Sequence, residues 1–269
     1  MSDYKPGIYD GMSNADYHAD PAMGSTSLKT LATRTPAHWK WESEHPVHKE
    51  AYDVGTAVHE LVLEGEFKTV VELEYDSYRT KAAQGDRDKA YTDGLTPMLS
   101  KDLIEVHAIA ESVMRNPLAA NAFTGHVAEQ SFFWEEEGQM YKVRPDARKS
   151  GLIVDLKTCQ SANPKDFPRT GYDFGYFMSA AMYVDGVKEL TGEDHAFAFV
   201  NVEKSKPYLT SVTEFDAEAL AYGRQMIDRA KRIYRECKAA DKWPGYPAFT
   251  TVSLPKWATY QLEDMMIDE

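Results

Sequence analysis

Two carboxylates and an amine stand close together near the middle of the sequence, as Pro145-Asp146 and then Asp155-Leu156-Lys157. Residues 139–148 alternate as a half-buried strand does, and the alternation resumes over 152–159 after the turn pair Ser150-Gly151, so the spacing predicts a hairpin. A two-residue Ser150-Gly151 loop sets Asp146 opposite Asp155 and Arg144 opposite Lys157. One face then carries Asp146, Asp155 and Lys157, and the other collects Val143, Ala147, Leu152, Val154 and Leu156. Like charges opposed on a sheet are unfavourable unless compensated, and the compensators at hand are Lys157 and a divalent cation. Hard oxygen donors at this separation suit Mg²⁺ or Mn²⁺, and an amine two residues on can hold or polarise a water. The chemistry indicated is hydrolysis at phosphorus. On the triplet alone, a solvated hairpin face of ordinary ion pairs fits equally well.

Further residues bear on that choice. Residues 55–64 read as a helix that aims His59 inward, although a lone histidine on a partly apolar helix is more often a core or surface residue than a ligand. Residues 128–134 read as a strand that supplies Glu129 just before the hairpin, or else an edge-strand carboxylate. Residues 24–31 are expected to open a helix with Ser27 as its N-cap, and free amides and hydroxyls at such an end form an anion site; a plain helix cap is the simpler reading.

Taken in order, His59, Glu129, Pro145-Asp146 and Asp155-Leu156-Lys157 resemble the PD-(D/E)XK nuclease superfamily. Within it the sequence is most similar to the phage and prophage exonuclease VIII (RecE-type) nuclease domain, related to the RecB nuclease domain and to lambda exonuclease. The resemblance runs from Asn14-Ala15-Asp16-Tyr17-His18 through Ser25-Thr26-Ser27-Leu28-Lys29 and Thr35-Pro36-Ala37-His38-Trp39, and ends near Gly186. It implies that His59, Asp146, Asp155 and the Leu156 carbonyl hold Mg²⁺, with Mn²⁺ able to substitute. It implies that Glu129 assists that site and that Lys157 orients or deprotonates the attacking water. Ser25, Ser27, Lys29 or Arg34 would meet a DNA phosphate, and Tyr183 matches a tyrosine of the family's later helix. Ser179 stands where that helix usually carries glutamine, a departure that bears on how the strand is held. The resemblance further implies 5′-to-3′ digestion of linear double-stranded DNA ends, a ring-shaped homo-oligomer, commonly a tetramer, and a single-strand annealing protein as partner. Two alternatives stay open: a DNA-end-binding scaffold with a weakened site, and an endonuclease.

The formal charge of −13 excludes a protein that coats nucleic acid indiscriminately. Basic residues gather locally instead, at Lys142, Arg144, Arg148 and Lys149, at Arg79, Lys81, Arg87 and Lys89, and at Arg224, Arg229, Lys231, Arg232, Arg235 and Lys238, the last by default a solvated helix face. His59-Glu60 lacks the second histidine of a zinc-protease helix, and no GxxxxGK[ST], GxGxxG or GxSxG motif is present. Two cysteines, Cys159 and Cys237, make neither a disulfide scaffold nor an iron–sulfur cluster site. No apolar run is long enough to span a membrane and no signal-peptide stretch follows Met1, so a cytoplasmic protein of a bacterial host cell is expected.

The elements that must position these residues read as one α/β nuclease domain, a mixed central sheet flanked by helices with a PD-(D/E)XK restriction-endonuclease-like core. Residues 1–53 are expected to wrap the fold, 54–240 to form the core and 241–269 to be a tail. Residues 75–97 read as a loop-rich insertion, followed by helices over 100–115, 176–183 and 216–239 and strands over 196–203 and 208–214.

Overall fold

The computed structural model describes residues 2, 4–45 and 53–267. Residues 46–52, where the expected wrapping segment ends, lie outside the described residues. The chain opens with β1 (Gly7–Tyr9), α1 (Asn14–Ala19), α2 (Ser25–Thr33), α3 (Pro36–Glu44) and α4 (Asp53–Glu64). There follow β2 (Val70–Leu73), α5 (Lys81–Thr92), β3 (Thr96–Leu99), α6 (Ser100–Arg115) and α7 (Pro117–Ala122). The central run is β4 (Val127–Ala128), β5 (Ser131–Glu136), β6 (Gln139–Val143), β7 (Ala147–Lys149) and β8 (Leu152–Cys159). The last elements are α8 (Phe167–Asp173), α9 (Tyr176–Thr191), β9 (Ala196–Glu203), β10 (Thr210–Thr213), α10 (Ala217–Ala240) and α11 (Lys256–Ile267).

A five-stranded mixed sheet, ordered β10-β9-β8-β7-β4, forms the centre, with β8 and β9 parallel and the other pairs antiparallel. Alternation along its strands feeds two cores. Ile153, Phe197 and Phe199 join α2, α9 and α10 on one face, through Leu28, Leu31, Met178 and Ile227. Val154, Leu156, Val200 and Val202 join α4 and α6 on the other, where Val58, Val62, Val106 and Ile109 recur at helical spacing. This is the α/β arrangement expected, and no helix among the described residues is long and apolar enough to cross a membrane.

The turn at Ser150-Gly151 pairs Ala147 with Val154 and Lys149 with Leu152, the anticipated register. Residues 139–148 are not one strand, however. β6 lies in a separate three-stranded sheet with β5 and β1, and only β7 belongs to the central sheet. The long hairpin of β4–β5 against β6–β7 breaks at the same level in both arms. Ala128 faces Ala147 below the break and Phe132 faces Val143 above it, with Glu129 N–H bonded to the Asp146 carbonyl between them. Pro145 has no N–H to continue a ladder. Two expectations fail in consequence: Arg144 does not oppose Lys157, and Val143 packs in the α9 core rather than with Ala147, Val154 and Leu156.

Two further expectations are corrected. The insertion at 75–97 contains α5, whose N-cap Thr80 accepts from Ala83 N–H, and β3, which pairs in parallel with β2. Ser27 is not a cap. Backbone hydrogen bonds tie Met23 to Met140 and Lys142, so α2 starts directly afterwards with Gly24 as N-cap and Ser27 inside its first turn.

Candidate active site

The early end of β7 creates the site. It pairs with β8 only as far as Val154, so beyond that point the backbone of β8 is open on one edge. The Leu156 N–H donates to Asp146 Oδ2 at 2.6 Å, and the Leu156 carbonyl accepts from His59 Nε2 at 2.8 Å. Each buried backbone group released by the missing ladder is thereby taken up by a side chain that could do chemistry. α4 reaches this edge because Gly55, one turn before His59, allows close approach: a Cβ there would already touch Thr158 Oγ1 at 3.4 Å.

Asp155 and Lys157 project from the same side of β8, and their carboxylate and ammonium lie 2.5 Å apart. Asp146 Oδ2 is 3.8 Å from His59 Nδ1. Burial pushes the Asp146 carboxyl up to about 6, and the Asp155 charge adds to this while His59, Lys157 and the Leu156 N–H oppose it. Burial disfavours the Lys157 ammonium, yet the Asp155 and Asp146 charges outweigh burial and hold its pKa above the ordinary lysine value. Lys157 is therefore an ammonium that stands in for a cation against Asp155.

Of the residues singled out in the sequence, the fold gathers His59, Asp146, Asp155, Leu156 and Lys157 at one point. Glu129 flanks them in left-handed backbone, φ 45°, which costs a non-glycine residue about 1–2 kcal/mol. It lines, with His59 and Thr158, a cavity of about 730 Å³ that Lys68 and Lys204 also border. Ser25 hydrogen-bonds the buried Tyr183 hydroxyl, whose pKa burial drives well up, helped by the Asp155 and Asp146 charges. Ser27 is half-buried on the same turn of α2. Arg34 is not brought to the cluster; it is ion-paired with Glu42 of α3.

The local basic group beside the hairpin is spent internally. Lys142 donates to the Tyr17 and Asp20 carbonyls, and Arg144 to Ser131 Oγ and the Met12 and Ser13 carbonyls. The sequence gives no hint of Lys204 or Phe174 near the site, since only tertiary adjacency brings them there, whereas Thr158 simply follows Lys157 along β8.

Two carboxylates, an imidazole and a carbonyl are the donors a hard divalent cation takes. The donor set thus fits Mg²⁺ or Mn²⁺, although among the described residues no three His, Cys, Asp or Glu side chains are already gathered as a metal-binding group.

Residues 24–248 match the family model of a PDDEXK-like domain of unknown function (DUF3799). The chain belongs to this PDDEXK-like family. No curated protein matches its sequence. Among solved structures, a presumptive exonuclease from Eubacterium rectale superposes with a TM-score of 0.64 at 18% identity, over 92% of this chain and 96% of the other. A phage-related exonuclease from Haemophilus somnus (TM-score 0.36, 12% identity, 82% and 96% covered) and an alkaline exonuclease from Laribacter hongkongensis (0.28, 14%, 72% and 99%) are more distant. The first likeness confirms the fold over nearly the whole chain. The matched span contains the sequence Pro145-Asp146 and, nine residues on, Asp155-Leu156-Lys157.

Proposed function

We propose that this PDDEXK-like protein is a Mg²⁺-dependent exodeoxyribonuclease of RecE type, with Mn²⁺ able to substitute, that degrades linear double-stranded DNA 5′ to 3′ from its ends. Its setting would be phage or prophage recombination in the cytoplasm of a bacterial host, as a homo-oligomeric ring alongside a single-strand annealing protein. The observation that carries the reading is the convergence of Asp146, Asp155, Lys157 and His59 on the open edge of β8.

Hydrolysis joins a water oxygen to phosphorus and breaks the bond to the leaving sugar oxygen, which takes up a proton. A divalent cation bound here would supply Lewis-acid charge to the phosphate. Asp146, Asp155, His59 and the Leu156 carbonyl would hold it, and Glu129 borders the adjoining cavity. Lys157, held as an ammonium, donates a hydrogen bond that positions the water or a phosphate oxygen; in this charge state it is not a base. Lys157 is held beside Asp155 at 2.5 Å, which keeps its ammonium at the metal-holding carboxylates.

The test follows linear duplex DNA labelled at either end, with Mg²⁺, beside Lys157→Met and a closed-circular control. Loss of the 5′ label first, absent on circles and at least about a hundredfold slower in Lys157→Met with Mn²⁺ affinity kept, is expected. Cutting of circles would make the enzyme an endonuclease, and a light-scattering mass of one protomer would remove the ring. A second reading, a DNA-end-binding scaffold for the annealing protein, is favoured by Ser179 in the place of the family glutamine and by carboxylates already engaged by Lys157 and Leu156. Bound but uncut ends under both metals would decide for it.

A further inference from the structure

A second lysine, with no ion-pair partner among the described residues, lies near the Asp155 carboxylate. Lys29 is half-buried on α2, and its stem runs against Gly175, whose left-handed φ of 63° and missing side chain make the room: a Cβ there would stand 2.9 Å from Lys29 Cδ. The Lys29 Nζ is 6.0 Å from the centre of the Tyr176 ring, and Lys157 Nζ is 5.3 Å from the same centre. Among the described residues no carboxylate lies within ion-pair distance of Lys29. Burial, then the neighbouring Lys157, lowers its pKa to about 8, with Asp155 in opposition. Two ammonium groups over one ring make a place for an anion.

Tyr176 is also the middle ring of a stack that climbs from the core to the surface. Phe199 lies beneath it, centroids 5.5 Å apart and planes at 23°, and Phe174 lies outside it at 5.6 Å and 19°. Phe199 is buried, whereas Phe174 is 62% exposed. Stacked on Tyr176, the ring that both lysines approach, Phe174 keeps most of its surface in solvent. A base inside a duplex has both faces covered by its neighbours, so a free aromatic face of this kind selects a base that has left the stack.

We infer that Lys29, Tyr176 and Phe174 form a nucleotide subsite at the edge of the metal centre, Lys29 taking the phosphate adjoining the scissile one and Phe174 the unstacked base of that nucleotide. The inference rests on the nuclease reading above and narrows its substrate to a strand that is single, frayed or flipped at the point of cleavage. Lys29 then contributes to substrate affinity and is not needed to hold the cation.

The test uses the full chain and a duplex with a short single-stranded end carrying 2-aminopurine, bound in Ca²⁺ to separate binding from cleavage. Quenching of 2-aminopurine by wild type, lost in Phe174→Ala and kept in Phe174→Trp, is expected. Lys29→Met should weaken binding about tenfold and reduce the salt slope by about one, with Lys29→Arg restoring most of the loss. Mn²⁺ affinity should not fall, and melting temperature should stay at the wild-type value, in each variant. Unchanged quenching in Phe174→Ala, or unchanged affinity and salt slope in Lys29→Met, would overturn the subsite. In Mg²⁺, mismatched ends should be cut faster than paired ones by wild type but not by Phe174→Ala. Quenching without any cleavage by wild type would remove the nuclease reading and leave the subsite standing; cleavage indifferent to both variants would do the reverse.

Discussion

Asp146 carries a buried charge that the metal-free protein would hold more comfortably as a neutral acid. Its carboxyl titrates near 4 in an unfolded chain and is pushed up to about 6 here, first by burial. Between those values the native state binds the proton that the unfolded state has released. This group therefore adds stability as pH falls from about 6 towards 4 and subtracts it above 6. Asp146→Asn keeps an oxygen for the Leu156 N–H and removes the charge. Its metal-free form should gain about 2 kcal/mol at pH 8, a rise of several degrees in melting temperature that shrinks towards pH 5, while Mn²⁺ binding is lost. Thermal melts with chelator at the two pH values check this, and a lower melting point at pH 8 would show that the buried charge is fully compensated. In wild type the cation must displace that proton, so Mn²⁺ affinity should fall by up to tenfold per pH unit below about 6.

At the level of elements, glycines set the distances on which the site depends. Gly223 in α10 faces α9 so closely that a Cβ would stand 2.5 Å from the Phe177 carbonyl oxygen and 2.9 Å from Ala181 Cβ. Backbone cannot swing aside as a side chain does, so Gly223→Ala should cost about 1–3 kcal/mol in denaturant unfolding and disturb Tyr176 next to Phe177. Gly85 in α5 has nothing within 4 Å of such a Cβ, and Gly85→Ala should instead gain about 0.5–1 kcal/mol. These contrasts are invisible in the sequence, where both are glycines inside helices. What was legible depended on short-range pattern. The end of the glycine- and proline-bearing run at residue 97 marked off the helix over 100–115, and the turn Ser150-Gly151 gave the register that sets Asp146 beside the open edge of β8. The break of residues 139–148 into two sheets was not legible, because strand alternation passes through Pro145 unaltered while the partner strand changes from β5 to β8. The pairing of Arg34 with Glu42 was likewise not legible: the sequence carries the charge, but the partner is decided by how α3 folds back on α2.

Across the whole molecule, charge and apolar surface are distributed unevenly. The basic run of α10 is largely neutralised within the protein, Arg224 by Asp185, Lys231 by Glu136, Arg235 by Glu137 and Arg232 by Glu236. On the proposed function, with a net charge of −13, DNA contact would fall to cations such as Lys68 and Lys204 at the cavity and Lys29. The C-terminal stretch is different in kind. Trp243 stacks on Trp39 and Tyr246 meets His38, which ties the chain to α3 as far as that point. Beyond it lies the end of the family match at residue 248, and no residue of α11 is buried. Phe249, Val252, Trp257, Met265, Met266 and Ile267 all stand in solvent, an apolar surface that adds nothing to either core. An element that buries nothing cannot hold the fold together, however hydrophobic it is. Deletion of residues 249–269 should therefore leave the melting temperature within about 2 °C of the full chain and the unfolding slope in urea unchanged, since that slope follows the surface exposed on unfolding. Binding of a dye such as ANS should fall at the same time, because the exposed apolar side chains go with the deleted segment. A drop in melting temperature of ten degrees or so would mean that α11 packs against protein in solution, on its own chain or on another copy.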